Sequence, residues 1–225
     1  MIKLSETSKL DGIKSWSLEA LETCPGAWKG GKRVNGGNKK DEMVDACKGC
    51  YALGGNYRFP HVKKKRAESK EDWKRKEWID DMVLALQDSR YFRWFDSGDM
   101  YDINLARKIF EVMALTPWCR HWLPTRMEKF EKFGTVIRAM RALPNVMVRF
   151  SSDSVQGEFT PGLHGSTIIR NKNEAPAGVK VCLAYENEKH NCNGCRACWD
   201  KGIPVIAYVA HGLMMKGVLK RLTTA

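Results

Sequence analysis

The sequence has no run of eighteen apolar residues, which a helix needs to cross a membrane. Its beginning, Met1-Ile2-Lys3-Leu4-Ser5-Glu6, lacks the basic-then-apolar order of a secretory signal. The chain also contains no Walker loop, no GxSxG elbow and no HExxH helix. The sequence therefore gives no motif for a P-loop nucleotide site, a serine hydrolase or a zinc protease. These absences predict a cytoplasmic protein that makes no contact with membranes.

The composition fits one ordinary hydrophobic core. With 225 residues, of which 43% are hydrophobic, we expect a single α/β domain over residues 1–225. The formal charge of +12 favours an anionic partner such as nucleic acid, although metal-bound thiolates would lower it. The basic residues concentrate in residues 29–40 and 61–76, the second run lying beside Trp73 and Trp78. Such runs either contact nucleic acid or form solvated helix faces.

Seven of the eight cysteines fall into two groups. We call Cys24, Cys47 and Cys50 the N-terminal thiol group, and Cys182, Cys192, Cys195 and Cys198 the C-terminal thiol group. Because C-x2-C-x2-C spacing crowds three thiols into one turn of backbone, disulfides are strained there and convergence on a metal is easy. Both groups are therefore candidate metal sites in a reducing compartment. The eighth, Cys119, begins an apolar strand and is expected to be a buried thiol.

Strand and helix patterns alternate in the middle of the chain. Strands are predicted at residues 91–95, 119–123 and 146–150, and helices at 102–115 and 127–143. This βαβαβ core, residues 91–153, predicts a mostly parallel sheet that is covered on both faces or closed towards a partial (β/α) barrel. Further strand-like runs occupy residues 165–170, 179–184 and 203–209.

The segments around this core are less regular. Residues 1–60 form a Cys/Gly-rich segment with a short helical pattern from Ser15 and a Gly/Lys/Asn-rich loop at 30–40. A long amphipathic helix is predicted near residues 70–88. Residues 179–202 form a cysteine-rich metal-binding loop, and residues 213–225 form a basic helix or a frayed end.

Polar groups follow each of the three clear strands, at Asp96-Ser97-Gly98-Asp99, Thr125-Arg126 and Ser151-Ser152-Asp153. Because parallel strands end at one edge of a sheet, these groups are expected to share one site. Helix capping explains the Ser, Thr and Asp residues equally well. It does not explain the arginine, or Gly98, whose missing side chain lets a ligand approach the backbone. The candidate ligand-binding residues are Ser97, Gly98, Asp99, Thr125, Arg126, Ser152 and Asp153.

Five segments occur in the order that is characteristic of one protein family. They are Cys24-Pro25-Gly26, Cys47-Lys48-Gly49-Cys50-Tyr51-Ala52, Ser97-Gly98-Asp99-Met100-Tyr101, Thr125-Arg126 and residues 192–199. In these segments the chain resembles the bacteriophage "gene product 88" family of cysteine-rich proteins, over most of its length. The resemblance implies phage origin, hence the host cytoplasm, and metal binding, but it names no reaction or substrate.

A second resemblance is to radical S-adenosylmethionine enzymes. Cys47-Lys48-Gly49-Cys50-Tyr51-Ala52 and Ser97-Gly98-Asp99 are similar to the end of their cluster motif and to the glycine/acidic motif after their second strand. The resemblance implies a [4Fe-4S] cluster whose fourth iron is open to the amine and carboxylate of S-adenosylmethionine. Twenty-two residues separate Cys24 from Cys47, where those enzymes have three.

The cysteine spacing of the C-terminal thiol group resembles a known cluster-binding pattern. Cys192, Cys195 and Cys198 resemble the ferredoxin-like run that binds a [4Fe-4S] cluster, and Cys182 is the obvious completing ligand. Zinc is the alternative metal. Zinc sites usually draw two C-x2-C pairs from two loops, so a cysteine triplet would leave one thiol without a zinc to bind. His190 either replaces a thiolate or is solvated. Spacing leaves open whether there are one or two clusters.

Three functional classes remain open. The leading expectation is an iron-sulfur protein, with radical-type redox chemistry on a small-molecule ligand. The second is a binding protein in which zinc or a cluster staples the fold and the basic segments contact nucleic acid or a host factor. The third is an electron carrier, whose only partner is an electron donor or acceptor.

Overall fold

The computed structural model describes residues 2–31 and 42–223 of the chain. Most of the predicted Gly/Lys/Asn-rich loop, most of the first basic run and the end of the predicted tail therefore lie outside the described residues. Within them, eight strands form one sheet. The strands are β1 (Ser5–Thr7), β2 (Ile13–Trp16), β3 (Tyr91–Trp94), β4 (Arg120–Thr125), β5 (Val146–Ser151), β6 (Gly165–Ile169), β7 (Lys180–Cys182) and β8 (Val205–Val209).

The sheet is mostly parallel. Its order is β1-β2-β3-β4-β5-β6-β8-β7, and only the β1–β2 pair is antiparallel. The predicted βαβαβ core is confirmed, since β3, β4 and β5 are adjacent and parallel. Among the described residues no pairing joins β1 to β7, so the sheet is open rather than a closed barrel.

Six helices accompany the strands in the described part of the chain. They are α1 (Asp45–Lys48), α2 (Pro60–Asp72), α3 (Trp78–Ala85), α4 (Ile103–Leu115), α5 (Gly134–Ala142) and α6 (Leu213–Thr223). The side chains of α3, α4 and α5 bury one face of β3, β4 and β5 in the largest apolar core, which includes Phe92, Trp94, Leu123 and Val148. None of the described helices combines the length and apolar character of a membrane span. The helical alternative for the tail is confirmed by α6.

Three local predictions are wrong. The helical pattern from Ser15 forms no helix: Ser15 and Trp16 end strand β2, because parallel pairing with β3 buries Trp16 beside Trp78 and Trp94. The amphipathic segment near residues 70–88 is divided between α2 and α3, since Lys108 Nζ binds the carbonyl oxygens of Trp73 and Arg75. Burial and tertiary hydrogen bonds thus override local periodicity.

The third correction concerns the helix predicted at residues 127–143. Residues 127–133 form two short 3-10 turns, and α5 begins only at Gly134. The Thr125 hydroxyl accepts a hydrogen bond from the Met127 backbone N–H at 3.0 Å, which directs the chain into the first turn. This change affects the site described below, because it alters where Glu128 lies.

The opposite face of the sheet carries Tyr91, Arg93, Trp122, Arg149 and Tyr208, and we call it the cysteine-covered face. Strand alternation places these side chains away from the helical core. Residues 192–204 lie across this face, where Trp199 packs on Trp122 and donates its indole N–H to the Phe92 carbonyl oxygen at 2.9 Å. One face is therefore buried by helices and the other by the C-terminal cysteine segment.

Candidate functional site

The loops that follow β2, β3, β4 and β5 meet at one edge of the sheet, and the N-terminal thiol group lies there. The Leu18 N–H donates to the Ser97 carbonyl oxygen at 3.0 Å, and the Asp99 N–H donates to Thr23 O at 3.0 Å. The Ala46 N–H, one residue before Cys47, donates to Asp153 O at 2.9 Å. Segments that are distant in sequence are thereby held together around the three cysteines.

The three thiols of this group are close enough to influence one another electrostatically. Cys24 interacts with Cys47 and Cys50, and Cys47 interacts with Arg126 and Asp153. Burial raises the pKa of all three thiols, that of Cys50 to about 11. Because ligand thiols must lose their protons, metal binding at this group would release protons.

Gly26 allows the Cys24 loop to approach the end of β4. A Cβ atom at Gly26 would stand 2.5 Å from Arg126 Cβ and 3.0 Å from Arg126 O, which no ordinary side chain tolerates. The Cys47–Cys50 loop is fixed differently, since Ala46 packs with Met215 and Val218 of α6. A missing side chain and an apolar contact thus position the two halves of the thiol group.

The Ser97-Gly98-Asp99 turn is bonded to the protein on each side. Gly98 has a φ of 81°, and a Cβ there would lie 2.6 Å from Leu18 Cβ, so the space beside this glycine is already filled. The Ser97 hydroxyl donates to the Leu18 carbonyl oxygen at 2.7 Å. The turn therefore supports the segment that leads to Cys24.

Asp99 is a buried carboxylate that orders the loop after β4. It accepts hydrogen bonds from the Thr125 hydroxyl at 2.7 Å, the Arg126 N–H at 2.9 Å and the Met100 N–H at 2.8 Å. Burial raises the pKa of Asp99, and these donors oppose that rise. Asp99 and Thr125 thus act together to set the position of Arg126.

The Arg126 guanidinium lies between the thiols and the end of β5. Its Nη2 donates to the Ser152 carbonyl oxygen at 2.8 Å, and its Nε donates to Asp153 Oδ1 at 3.3 Å. Lys129 also pairs with Asp153 and donates to Gly26 O at 3.2 Å. Cys47 contributes the largest electrostatic attraction to Arg126, which keeps a positive charge beside this thiol.

Glu128 belongs to this neighbourhood, and the sequence patterns missed it. Burial raises the pKa of Glu128 to about 7, and its Oε2 is buried without a hydrogen-bond partner. The predicted helix over residues 127–143 would have placed it on a solvated surface. The sequence could have indicated Glu128 through its position shortly after Thr125-Arg126, because any residue of the loop that follows a strand can reach the edge where the strands end.

The C-terminal thiol group lies on the cysteine-covered face, where three of its members come together. Cys182, Cys192 and Cys198 interact electrostatically, whereas the side chain of Cys195 is exposed to solvent. The Cys192 N–H donates to Lys9 O at 2.8 Å, and Cys198 Sγ lies 3.4 Å from the Tyr208 hydroxyl. Burial raises the pKa of Cys192 to about 11. His190 is exposed, with Nδ1 3.1 Å from Tyr185 O.

Arg149 binds the cysteine-bearing segment to the sheet. Its guanidinium is fully buried, and its nitrogens donate to six carbonyl oxygens at 2.9–3.5 Å. The acceptors are the carbonyl oxygens of Gly165, Ala197, Cys198, Asp200, Ile203 and Pro204. Within the described residues Arg149 forms no ion pair with a carboxylate, so backbone dipoles alone solvate this buried charge.

All eight cysteines are free thiols, and Cys119 is buried as expected, with a pKa raised to about 12 by burial. Across residues 2–31 and 42–223, no three His, Cys, Asp or Glu side chains converge closely enough to hold one metal ion. The predicted cysteine-rich loops are present, but their metal-binding role stays a prediction.

Comparison with known protein families gives a match over most of the chain. A family model described as Gene product 88 matches residues 2–213 and confirms the resemblance seen in the sequence motifs. No curated protein and no solved structure matches the chain.

Proposed function

The chain belongs to the Gene product 88 family, and from that premise we propose that it is an iron-sulfur protein with a substrate-facing [4Fe-4S] cluster on its N-terminal thiol group. The observation that carries the proposal is the meeting of three thiols, one buried and two half-buried, with the Arg126 guanidinium at the edge where the parallel strands end. Ligands of open α/β sheets bind at this edge. We further propose that the reaction is a redox reaction dependent on S-adenosylmethionine.

The donor set suits a cluster better than zinc. Four-coordinate zinc needs Zn–S distances of about 2.3 Å, which requires its sulfur ligands to lie within about 4 Å of one another. The described cysteines form no such set. In an iron-sulfur cluster each thiolate binds a different iron, so the sulfur atoms stand further apart. We therefore propose a cluster rather than zinc at the N-terminal thiol group.

The chain itself supplies charge and orientation. When bound, a [4Fe-4S] cluster with three thiolate ligands supplies one-electron chemistry and an iron with an open coordination position. Arg126 offsets the negative charge of deprotonated Cys47, and Asp153 fixes the plane of that guanidinium. Glu128, with a pKa near the neutral range, can hold or release a proton beside Arg126.

The chain order also supports the S-adenosylmethionine proposal. The loop after β2, the first parallel strand, carries the three cysteines, and β3 is followed by Ser97-Gly98-Asp99, as in the enzymes that the sequence resembles. Since the protein already occupies the oxygens of Asp99 and the space beside Gly98, we assign ligand contact to Arg126, Asp153 and Glu128.

The C-terminal thiol group is proposed to hold a second cluster that exchanges electrons with an external donor. Its inner thiols, Cys182, Cys192 and Cys198, supply three ligands, and Arg149 fixes the segment that carries two of them. The proposal places the protein in the host cytoplasm, as expected for a phage-type protein, where thiols stay reduced.

A nucleic-acid partner has weaker support. Many cations of the second basic run are already paired within the chain, Lys70 with Glu22, Lys74 with Glu71 and Arg75 with Asp72 and Asp81. A helix laced with ion pairs is typical of a solvated surface. We therefore advance no second function.

The test is anaerobic purification followed by measurement of iron, acid-labile sulfide and zinc per chain. We expect about four irons and four sulfides for each loaded thiol group, with a visible band that dithionite bleaches. S-adenosylmethionine should change the spectrum of the wild-type protein. Cys47→Ala should remove the iron of the N-terminal group, while Cys119→Ala serves as the matched control and retains it. About one zinc per chain without colour would refute the proposal.

A further inference from the structure

Helix α2 turns a polar face towards the rest of the protein. Its two buried residues are Arg66 and Ser69. Val62 and Lys65 share this face, because residues three, four and seven positions apart align on one side of a helix. A helix on the surface of a globular protein normally buries an apolar stripe. Packing of a hydrophobic core therefore does not explain the buried side of α2.

This face lines a groove of about 480 Å³, which we call the α2 groove. Residues 3–6, which lead into β1, and Ser17 form its other wall. Lys65 connects the two walls, since its Nζ donates to the Leu4 carbonyl oxygen. Small-molecule pockets in proteins usually measure about 300–1,000 Å³. The α2 groove is therefore large enough to hold a small molecule.

Arg66 lines the α2 groove with a hydrogen-bond donor that the protein leaves unused. Only 7% of this residue is exposed, and its Nε is buried without a hydrogen-bond partner. Within the described residues its guanidinium has one ion pair, in which Nη2 lies 3.7 Å from Asp96 Oδ1, beyond hydrogen-bonding distance. The Tyr57 ring covers one face of the guanidinium, with its centre 4.5 Å from Cζ. A buried donor without an acceptor costs free energy.

Arg149 shows how the same protein satisfies a buried arginine that has a structural role. Its guanidinium donates to six backbone carbonyl oxygens. Arg66 has no comparable set of acceptors, and its partner Asp96 is shared, because that carboxylate also accepts a hydrogen bond from the Ser17 hydroxyl. An acceptor from outside the chain would complete the hydrogen bonding of Arg66.

The charges around the α2 groove favour an anion as that acceptor. Three cations line it, Lys3, Lys65 and Arg66, and among the described lining residues Glu6 is the one carboxylate. Glu6 lies opposite Lys14 in the antiparallel pair of β1 and β2, and Lys3 is paired with a glutamate of α2. A lysine ammonium has three N–H donors, so Lys65 keeps two after it has bound the Leu4 carbonyl oxygen.

We propose that the α2 groove binds the terminal phosphate group of a small phosphorylated molecule, with Arg66 and Lys65 as its donors. A guanidinium offers a planar fork of N–H groups that matches a phosphate, and a lysine adds a point charge. Because Arg66 is almost fully buried, a terminal phosphate reaches it more readily than the backbone of a nucleic-acid strand, which continues on both sides of each phosphate. This binding does not depend on the proposed iron-sulfur cluster.

The test is calorimetric titration of the anaerobically purified protein with inorganic phosphate and with glycerol 2-phosphate at constant ionic strength. The wild type is compared with Arg66→Met and with Arg66→Lys, which keeps a cation beside Asp96. Lys64→Met is the matched control, since Lys64 is an exposed cation on the same helix. Circular dichroism checks that each variant is folded, and if Arg66→Met unfolds, the comparison rests on Arg66→Lys.

We expect one saturable site for both phosphates in the wild type and in Lys64→Met. Its affinity should fall at least about tenfold in Arg66→Met and at least about threefold in Arg66→Lys, because a lysine lacks the guanidinium fork. No saturable binding by the wild type, or unchanged affinity in the folded Arg66 variants, overturns the proposal. An equal loss in Lys64→Met also overturns it, since that result indicates diffuse attraction to a basic surface.

Two further results would reject the assigned ligand. Binding of inorganic phosphate without glycerol 2-phosphate would exclude a phosphorylated molecule as the occupant of the α2 groove. An oligothymidylate is titrated in parallel. If it binds in a manner that depends on Arg66 while neither small phosphate binds, the α2 groove belongs to a nucleic-acid interface and the proposal is overturned.

Discussion

The two thiol groups differ in how the protein builds them. The N-terminal group lies in loops at the carboxyl edge of the sheet, among residues of both charges, where Arg126 is balanced by Asp153. The C-terminal group lies against strand side chains, among tyrosines, several cations and the single carboxylate of Asp11, and within the described residues Arg149 contacts backbone carbonyls and no carboxylate. Balanced charge suits a site that binds and releases a ligand, whereas an excess of cations suits a site that permanently holds negative thiolates.

The largest expected effect on the difference between the two thiol groups comes from replacing Arg149. Arg149→Met should destabilise the protein by at least about 3 kcal/mol, because six carbonyl oxygens lose their donor. Urea denaturation measures this change, and the iron of the C-terminal group should be lost with it. Arg138→Met, at an exposed site on α5, is the control and should change stability by less than about 0.5 kcal/mol. Equal stability of the two variants would show that Arg149 does not anchor the cysteine-bearing segment to the sheet.

A paired substitution sharpens the assignment of the C-terminal ligands. Cys198→Ala should abolish the iron of this group, because Cys198 interacts electrostatically with Cys182 and Cys192. Cys195→Ala should retain it, since that side chain points to solvent. Iron and sulfide analysis of both proteins decides the matter. Equal loss in the two variants would mean that Cys195 moves inward to complete a four-cysteine site when the cluster forms.

The N-terminal site should show a pH dependence through Glu128. Its pKa is raised from 4.5 to about 7, so the folded state holds this proton more tightly than the unfolded chain does. The resulting stability is complete below about pH 4.5 and is lost as the pH rises through about 7. Glu128→Gln should flatten this part of the stability profile, by about 3 kcal/mol between its ends. Glu131→Gln, an exposed neighbour, should leave the profile unchanged. A stability profile in Glu128→Gln that matches the wild type would contradict the raised pKa of Glu128.

The smallest expected effect is at Asp99. Asp99→Asn should lower stability by about 1–2 kcal/mol, because the amide cannot accept all three hydrogen bonds that the carboxylate accepts. Iron should remain, but the spectral response to S-adenosylmethionine should weaken as Arg126 loses its fixed position. Asp102→Asn, which still caps α4, is the control. An unaltered spectral response in Asp99→Asn would show that Asp99 does not affect ligand binding.

Long-range features of the sequence predicted more than local patterns did. The alternation of strand and helix patterns predicted the parallel order of β3, β4 and β5, and with it the edge shared by Asp99, Arg126 and Asp153. Local patterns failed at Ser15, which pairs with β3, and at residues 127–133, where the Thr125 hydroxyl, itself bonded to Asp99, accepts a hydrogen bond from the Met127 N–H. Glu128 was missed for that reason.

The sequence by itself determined the composition of each group and the parallel frame, because cysteine spacing and the alternation of apolar patterns are properties of the chain. Only the tertiary structure decided that Cys24, separated by twenty-two residues from Cys47, lies beside it, and that Cys195 turns away from its neighbours. Contacts between distant segments depend on which surfaces bury best against each other, and no local pattern contains that information.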